Sequence, residues 1–379
     1  SMQKVVSTSV DLAGPQPFEG QLEQPETAHG YYRDIRVLAF PSVGSHRIHD
    51  IQARAAYQVQ GVGPAREDQL APEMVINPDR VIDISDKMGS SGKLVWAVPD
   101  GKWTVVRFGH TTTGVVNAPA PATGRGLECD KLSKEGARAN FNGMMAKLAS
   151  DVGPEGKALV ATHVDSWENG SQNWTTNMRE EFKTRRGYDM LPYLPVMSGH
   201  VVGSQEISDR FLWDLRKTIS ELVIENYAME IKKLAHDNGM RFTIEAYGGP
   251  CDNLPYGGVA DEPMGEFWDP HGAMETCKGM AAAGHVYGKR IIGAEAFTAG
   301  GHERWLQTPG GIKALGDLAF CNGINRFVFH RYAMQPWTED RSPGMTMGPW
   351  GQHYERTQTW WEMTPAWHEY LSRCQYMLR

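Results

Sequence analysis

Residues 158–174 read ALVATHVDSWENGSQNW, a short apolar segment followed by polar and aromatic side chains. The apolar part, 159–164, has the length and composition of a buried strand in a parallel sheet. Carboxylates and tryptophans at the carboxyl end of such a strand are typical of sites that bind sugars. The loop therefore supplies a first group of candidate site residues, which are Asp165, Trp167, Glu168 and Asn173.

Later segments repeat this arrangement of a short strand that ends in polar or aromatic residues. Because the carboxyl ends of parallel strands meet at one edge of a sheet, we expect these side chains to converge. The segments and the side chains that they deliver are 241–244 with Glu245 and Tyr247, 264–267 with Glu266, 290–294 with Glu295, and 326–329 with His330, Arg331 and Tyr332.

Helical patterns alternate with these strands, and strand–helix alternation predicts an α/β fold with a parallel sheet. No glycine-rich phosphate fingerprint follows any strand, which argues against dinucleotide binding. Carboxylates at successive strand ends favour a (β/α)8 TIM-type barrel over an open sheet. About five of its eight strands can be placed, so the predicted barrel is incomplete. The predicted helices cover 133–148, 208–238, 274–283 and 312–320.

The N-terminal part of the chain has a different pattern. Residues 1–30 contain several prolines and little periodicity, and we expect an extended connector there. Residues 31–115 alternate like strands and predict a small antiparallel β domain inserted near the N-terminus, in which 92–98 and 103–109 pair as a hairpin. Residues 116–379 then form the C-terminal part of the catalytic barrel.

Composition excludes several classes of protein. The 379 residues carry a net charge of -7 and no basic run, which argues against a nucleic-acid partner. No apolar run is long enough to span a membrane, and no signal peptide is visible at the start. The five cysteines show no CxxC spacing and are expected to be free thiols. The absence of a GxSxG elbow gives acyl transfer little support.

Several longer strings resemble glycoside hydrolase family 106, the α-L-rhamnosidases, and the similarity runs from about residue 5 to residue 367. The resemblance implies a (β/α)8 barrel with added β-sandwiches, an inverting mechanism, and a calcium ion at the sugar subsite. It also implies a rhamnose-containing oligo- or polysaccharide as substrate and a periplasmic or extracellular location. Family members are longer, so the chain is expected to begin after the first three barrel strands. The strings are VPDGKWTVVRFGHTTTG (98–114), NAPAPATGRGLECDKLS (117–133), HVDSWENGSQNW (163–174), RRGYDMLPYLP (185–195) and IEAYGGP (244–250).

An inverting glycosidase needs two carboxyl groups roughly 6.5–9.5 Å apart, with a water between one of them and the sugar. We assign Glu168 as the general acid and Glu295 as the general base. Trp167 would desolvate Glu168 and help it to keep its proton. Glu245 could instead be the base, or a calcium ligand. The predicted substrate-binding residues are Asp165, Trp167, Asn173, Glu245, Tyr247, Glu266, His330 and Tyr332.

Each assignment has a structural alternative. Glu168 could be a solvated loop carboxylate, Glu245 could pair with an arginine, and His330 could be a buried, hydrogen-bonded histidine. Two other functions also stay open at this point: a non-catalytic carbohydrate-binding fragment, and a retaining glycosidase with another sugar specificity. A separation of about 5–5.5 Å between the carboxyl groups would favour retention.

Overall fold

The computed structural model describes residues 1–56, 70–153, 158–270, 272, 274–342, 344–346 and 350–379. The strands are β1 (Gln3–Gln21), β2 (Arg33–Pro41), β3 (Val75–Ile76), β4 (Ile82–Asp83), β5 (Lys93–Thr112), β6 (Ala161–Val164), β7 (Val201–Val202), β8 (Arg241–Glu245), β9 (Glu262–Asp269), β10 (Gly293–Ala299) and β11 (Arg326–Phe329). The α-helices are α1 (Ile51–Ala55), α2 (Lys134–Gly143), α3 (Met145–Val152), α4 (Met178–Arg186), α5 (Gln205–Leu222), α6 (Met229–Asp237), α7 (Asn253–Val259), α8 (Glu275–Val286), α9 (Pro309–Cys321) and α10 (Thr364–Met377).

The chain divides into two compact units. The first unit comprises Ser1–Asn140 and Asn169–Tyr227, and the second comprises Phe141–Glu168 and Ala228–Arg379. The predicted β domain at 31–115 lies within the first unit, although its residues 57–69 fall outside the described residues. No helix in the described part of the chain is long and apolar enough to cross a membrane.

The first unit contains a four-stranded antiparallel sheet with the order β1-β5-β2-β4. The prediction of a connector over residues 1–30 is wrong, because Gln3–Gln21 forms an edge strand that pairs with β5 along its length. Prolines, which suggested a connector, are tolerated on an edge strand because one side of its backbone needs no partner. Gly14 allows the backbone of β1 to approach that of β5 closely, because a Cβ at this position would lie 1.9 Å from the carbonyl oxygen of Pro99.

The predicted hairpin between 92–98 and 103–109 is also wrong. Residues Lys93–Thr112 form one strand, and both of its halves pair with β1. The pairing Gly14↔Gly101 is followed by Gln16↔Val98, so two residues of β5 face one residue of β1. This β-bulge accommodates the Pro-Asp pair that the sequence pattern presented as a turn.

One face of this sheet carries an apolar core around two tryptophans. The rings of Trp96 and Trp103 meet edge to face at 5.7 Å, an arrangement worth roughly 0.5–1.5 kcal/mol beyond the area that it buries. The alternating burial of β5 over its first half places every second side chain in this core. The buried members of the core are Leu22, Val37, Ala39, Ile84, Leu94, Trp96, Val98, Trp103 and Val105.

The second unit contains a five-stranded parallel sheet with the order β11-β10-β9-β8-β6. This sheet confirms the α/β class. Among the described residues it is open, with β6 and β11 at its two edges, as expected for the strands at 159–164 and 326–329. Val160 and Val328, at these edges, are about half exposed. The strands follow one another across the sheet in the order of the sequence. The candidate site residues at their ends are therefore arranged in that order too.

An aromatic cluster holds β9, β10 and β11 together. The ring of Phe297 meets those of Phe267 and Phe327 edge to face, with centroids 5.1 Å and 5.4 Å away, and also packs on Phe329 and Trp367. Such pairs prefer edge-to-face or offset geometry because of the ring quadrupole. This aromatic packing fixes three neighbouring strands. β9 contains Glu266, β10 contains Glu295, and β11 is followed by His330.

Several helix boundaries differ from those predicted. The helix predicted over 133–148 breaks at Met144 into α2 and α3. The helix predicted over 208–238 consists of α5, a π-helical segment Val223–Ala228, and α6. Ser204 begins α5 by accepting a hydrogen bond from the amide of Ile207, a typical N-cap.

Candidate active site

Three glutamates of the second unit converge at the parallel sheet. Glu245 ends β8, Glu266 lies in β9 and Glu295 lies in β10, and one carboxylate oxygen from each lies within 4.8 Å of the others. We call these three residues the carboxylate cluster. Glu266 and Glu295 are direct neighbours in the register of β9 and β10. The convergence expected from the strand pattern is therefore confirmed for these three side chains.

Glu245 is the most deeply buried member of the cluster, with 1% of its surface exposed. Its Oε2 accepts a hydrogen bond from the Tyr247 hydroxyl at 2.6 Å. Burial raises the pKa of Glu245 to about 9, and the negative charges of Glu295, Asp165 and Glu266 add to that rise. Loss of hydration disfavours the charged form of a carboxyl group, so this side chain holds a proton at neutral pH unless a cation is near.

Helix α8 fixes the position of Glu266. A Cβ on Gly265 would lie 2.7 Å from the backbone of Cys277, so glycine is needed for the helix to approach the strand. The Thr276 hydroxyl then accepts from the Glu266 amide at 3.0 Å and donates to its carbonyl at 2.7 Å. Burial raises the pKa of Glu266, while hydrogen bonds from Trp268 and Tyr247 oppose that rise.

A bulge in β10 sets the surroundings of Glu295. The register pairs Glu295 with Glu266 and then Thr298 with Trp268, so two residues of β10 face one residue of β9. Phe297 within the bulge has a φ of 60°, in the left-handed region. In a regular strand, residues three apart point to opposite faces; here the Thr298 hydroxyl reaches the Glu295 carboxylate.

This environment corrects one expectation. The sequence pattern predicts that Glu295 follows a strand at 290–294. Glu295 lies inside β10, and burial raises its pKa, with Asp165 and Glu168 adding to the rise and the Thr298 hydrogen bond opposing it. The physical reason is that this strand begins later and runs further than the apolar pattern indicated, which places the carboxyl group within the sheet.

Two histidines border the carboxylate cluster. His163 Nε2 lies 3.8 Å from Glu245 Oε1, and its Nδ1 shares a hydrogen bond with the Thr243 hydroxyl at 2.8 Å. His330 Nδ1 lies 3.7 Å from Glu295 Oε1. Among the described residues, no lysine or arginine forms an ion pair with any of the three glutamates. The structural alternative in which Glu245 pairs with an arginine is therefore not what the structure contains.

The loop after β6 carries Asp165, Trp167 and Glu168, of which the two acids are exposed. The charge of Glu168 raises the pKa of both Glu266 and Glu295. Trp167 is half-buried against Gly249, where a Cβ would lie 3.4 Å from the indole ring. This packing joins the loop after β6 to the turn after β8.

Asn173 is the one predicted site residue that belongs to the first unit. It is buried, and its Oδ1 accepts a hydrogen bond from the Val5 amide at 2.8 Å. Its backbone amide also donates to Gln3 at 3.0 Å. These contacts give Asn173 a structural task in holding β1.

Three residues near the cluster were not singled out by the sequence pattern: Trp268, Trp350 and Thr298. Trp268 meets Trp350 edge to face at 6.0 Å, and its indole lowers the pKa of Glu266 against the rise that burial causes. Trp350 is half exposed, while the exposed Tyr332 follows β11. The alternation of Glu266 and Trp268 along β9 could have indicated Trp268, because residues two apart share a face. Trp350 gave no such signal, since it lies in an irregular segment.

The donor set of the cluster suits a hard cation. Calcium takes six to eight oxygen ligands, and carboxylates are prominent among them. Three carboxylates face one another here without a lysine or arginine partner among the described residues, so their mutual repulsion would be relieved by bound positive charge. His163, Asp165 and Glu245 form a second group whose ligand atoms lie within 4.8 Å of one another.

A parallel α/β sheet that gathers carboxyl groups and aromatic rings at its strands is compatible with a site that binds a sugar. The sequence matches the glycoside hydrolase 106 family, described as alpha-L-rhamnosidase, over residues 43–379. The chain belongs to this family, which confirms the resemblance found in its sequence strings.

Two proteins are similar to this chain. A protein of Formosa agariphila, named "Putative beta-glucuronidase", is 37% identical over 383 residues that cover 100% of this chain and 33% of that protein. The solved structure of a rhamnosidase from Novosphingobium sp. PP1Y matches with a TM-score of 0.86 and 25% identity, over 100% of this chain and 50% of that chain. The chain thus spans about a third of the length of the first relative and about half of the length of the second.

Proposed function

We propose that the chain provides the catalytic carboxylates of an inverting α-L-rhamnosidase that removes terminal rhamnose from complex glycans. The observation that carries the proposal is the carboxylate cluster: three acids in reach of one another, with a fourth, Glu168, close enough to raise the pKa of two of them. Inverting hydrolysis needs two carboxyl groups on opposite sides of the scissile bond, and the convergence of several acids supports the proposal that two of them take these roles.

Glu168 is the proposed general acid and Glu295 the proposed general base. Glu168 is exposed in the described structure, so the desolvation that favours a protonated carboxyl group would come from the bound glycan and from Trp167. Glu295 must be ionised to accept a proton from water. A cation held by its neighbours would favour that ionised form and would offset the effect of its burial.

Calcium is the cation that we propose, with Glu245 and Glu266 as its ligands. When bound, it would orient sugar hydroxyl groups and offset the negative charge of the cluster. Tyr247 positions Glu245 by donating to its Oε2, which leaves Oε1 for another partner.

The proposed sugar contacts come from the rim of the cluster. Trp167 and Trp350 offer partly exposed ring faces, which stack well on the apolar faces of sugars. Asp165, His330 and Tyr332 offer polar groups for hydroxyl recognition. We further propose that the five parallel strands are part of a (β/α)8 barrel and that the protein acts in the periplasm or outside the cell.

The test is release of nitrophenol from p-nitrophenyl α-L-rhamnoside, followed by proton NMR of the sugar that appears first. Inversion gives the β-anomer first, and appearance of the α-anomer would contradict the mechanism. Glu295→Gln should abolish release. A matched control, Glu206→Gln on the exposed side of α5, should not change it. Binding of rhamnose without release in the native chain would support the non-catalytic alternative.

A uronic acid is the second candidate substrate, favoured by one observation. Arg331 follows β11, and its buried Nε has no hydrogen-bond partner among the described residues, while its Nη2 donates to the carbonyl of Trp350 at 3.1 Å. A guanidinium with a spare N–H suits a sugar carboxylate. The relative named for β-glucuronidase activity agrees with this choice.

The two candidates differ in their response to p-nitrophenyl β-D-glucuronide. Hydrolysis of this compound but not of the rhamnoside, with loss of activity in Arg331→Gln, would replace the first proposal. Hydrolysis of the rhamnoside alone would exclude the second.

A further inference from the structure

The first unit contains a cavity of about 320 Å³ that the carboxylate chemistry does not use. Its walls combine strand β2, strand β5 and the segment around α4. Met190, Leu191 and Leu194 form an apolar side, and Trp174 contributes an indole ring. The volume lies at the lower end of the range for ligand pockets in proteins, which corresponds to a small ligand.

His110 lines this cavity and carries a buried polar atom without a partner among the described residues. The residue is 7% exposed and lines the cavity, yet its Nδ1 has no hydrogen-bond partner within the described ranges. Its ring packs edge to face on Tyr31 at 5.8 Å and near Trp174 at 6.1 Å, so it is held in place. Burial lowers the pKa of His110 to about 4, so the imidazole is neutral. A buried polar atom of this kind calls for a ligand or ordered water.

Three of the four charged side chains that line the cavity are already paired, and the fourth, Glu180, is exposed. Asp34 accepts two hydrogen bonds from Arg107, at 2.7 Å and 3.0 Å. Arg36 lies 3.2 Å from Asp83, and Arg179 donates to Asp189 at 2.9 Å. A charged ligand would have to compete with these ion pairs. A neutral ligand with several hydroxyl groups could instead use their remaining hydrogen-bonding capacity.

We propose that this cavity is a second, non-catalytic binding site for one neutral sugar unit. The His110 imidazole would bond one hydroxyl group, the paired Asp34 and Arg36 would bond others, and the apolar side would cover a sugar face. The mixture of an apolar wall with a few convergent polar groups is what recognises a sugar. The site would let the chain hold a glycan independently of cleavage, so it does not depend on the proposed function.

The test follows the ring nitrogens of His110 directly. The full chain is labelled with ¹⁵N-histidine, and the His110 signals are assigned as those missing from His110→Phe or, if that variant does not fold, from His110→Gln. Methyl α-L-rhamnoside and methyl β-D-glucopyranoside are titrated to about 50 mM, well above a millimolar Kd. We expect saturable shifts of the His110 signals with at least one of these sugars.

A second variant fills the mouth of the cavity. Asn177 is exposed, lines the cavity and makes no side-chain capping bond, so Asn177→Trp should fold and weaken binding by about tenfold or more. Asn140→Trp, an exposed asparagine on α2 that does not line the cavity, is the matched control and should bind normally.

Unmoved His110 signals with both sugars would overturn the proposal, as would equal binding by Asn177→Trp and the control. Shifts caused only by sodium glucuronate would overturn the neutral-sugar assignment. Nitrophenol release is measured on the same samples. Saturable His110 shifts without release would contradict only the proposed function, and release without shifts would contradict only the second site.

Discussion

The acids around α4 and the acids of the carboxylate cluster are the same kinds of residue in opposite surroundings. In the first unit, a hydrogen bond from Arg179 lowers the pKa of Asp189, and one from Arg185 lowers the pKa of Glu225. In the second unit, burial and neighbouring carboxylates raise the pKa of Glu245, Glu266 and Glu295. The difference is that the fold places an arginine beside each of the first two acids, and other carboxylates beside the three glutamates.

The negative charge of an acid with an arginine partner is already balanced, and such an ion pair contributes to the stability of the fold. Acids that face other acids are costly in the free protein, because each hinders ionisation of the next. Groups with perturbed pKa values of the second kind concentrate at functional sites. The comparison therefore separates acids that stabilise the chain from those that act on a ligand, and substitutions in each region should show it.

Glu295→Gln should have the largest effect on activity. Removing the proposed base should lower kcat by roughly 10²–10⁴-fold on natural glycans and on aryl rhamnosides alike, since water attack is needed in both cases. Steady-state kinetics on the two substrates measures this. Glu225→Gln, which changes a paired acid in the same way, should retain full activity. Retention of activity in Glu295→Gln would transfer the base role to Glu245.

Glu168→Gln should have a smaller effect that depends on the substrate. On a glycan with a poor leaving group, kcat should fall about 100-fold, because protonation of the leaving oxygen is lost. On a nitrophenyl rhamnoside, whose leaving group needs little protonation, the loss should be only a few-fold. The ratio of the two losses is the measurement. Equal losses on the two substrates would remove Glu168 as the acid.

Glu245→Gln should weaken calcium binding by about 10–100-fold, because the cluster loses one of its negative oxygen donors. Isothermal titration calorimetry of the metal-free chain with calcium chloride measures the affinity without any substrate. Glu181→Gln, in an ion pair with Arg185, is the matched control and should bind calcium as the native chain does. Identical affinities in all three proteins would contradict the metal assignment.

Asp189→Asn should have the smallest effect, and on stability alone. Loss of its two-point pairing with Arg179 should lower the free energy of unfolding by about 1 kcal/mol at neutral pH. The folded pKa of Asp189 lies below its unfolded value, so its stabilisation is present above that value, about 3.9, and is lost as the pH falls further. Urea titrations at pH 7 and pH 3 should therefore show the difference shrinking in acid. A difference that grows in acid would contradict the pairing.

The sequence allowed the parallel sheet and the convergence of its acids to be predicted for a physical reason. Fully buried strands are continuous apolar runs, and the residues that follow them are fixed in place by the sheet. Glu245 and Glu266 were found in this way. Glu295 was identified as well, but its position inside β10 was not, because the bulge at Phe297 depends on packing against neighbouring strands.

The N-terminal region shows what the pattern could not provide. β1 contains prolines and glycines that suggest a connector, and only its partner β5 makes it a strand. Edge strands are recognised through pairing that is distant in sequence, which composition does not reveal. The hydrogen bond from the Val5 amide to Asn173 also joins residues that are distant in sequence, and composition does not reveal it.

The bulge in β10 also has a consequence for the alignment of related sequences. Removing one residue at 296–297 would restore regular alternation, and the threonine would then stand two residues after Glu295, on the same face of the strand. A relative with a one-residue gap at this point would therefore keep its threonine opposite Trp268 and beside the glutamate, but it would no longer need the left-handed conformation of Phe297. Such a gap would mark the loss of the bulge, while the contact between threonine and glutamate would be kept.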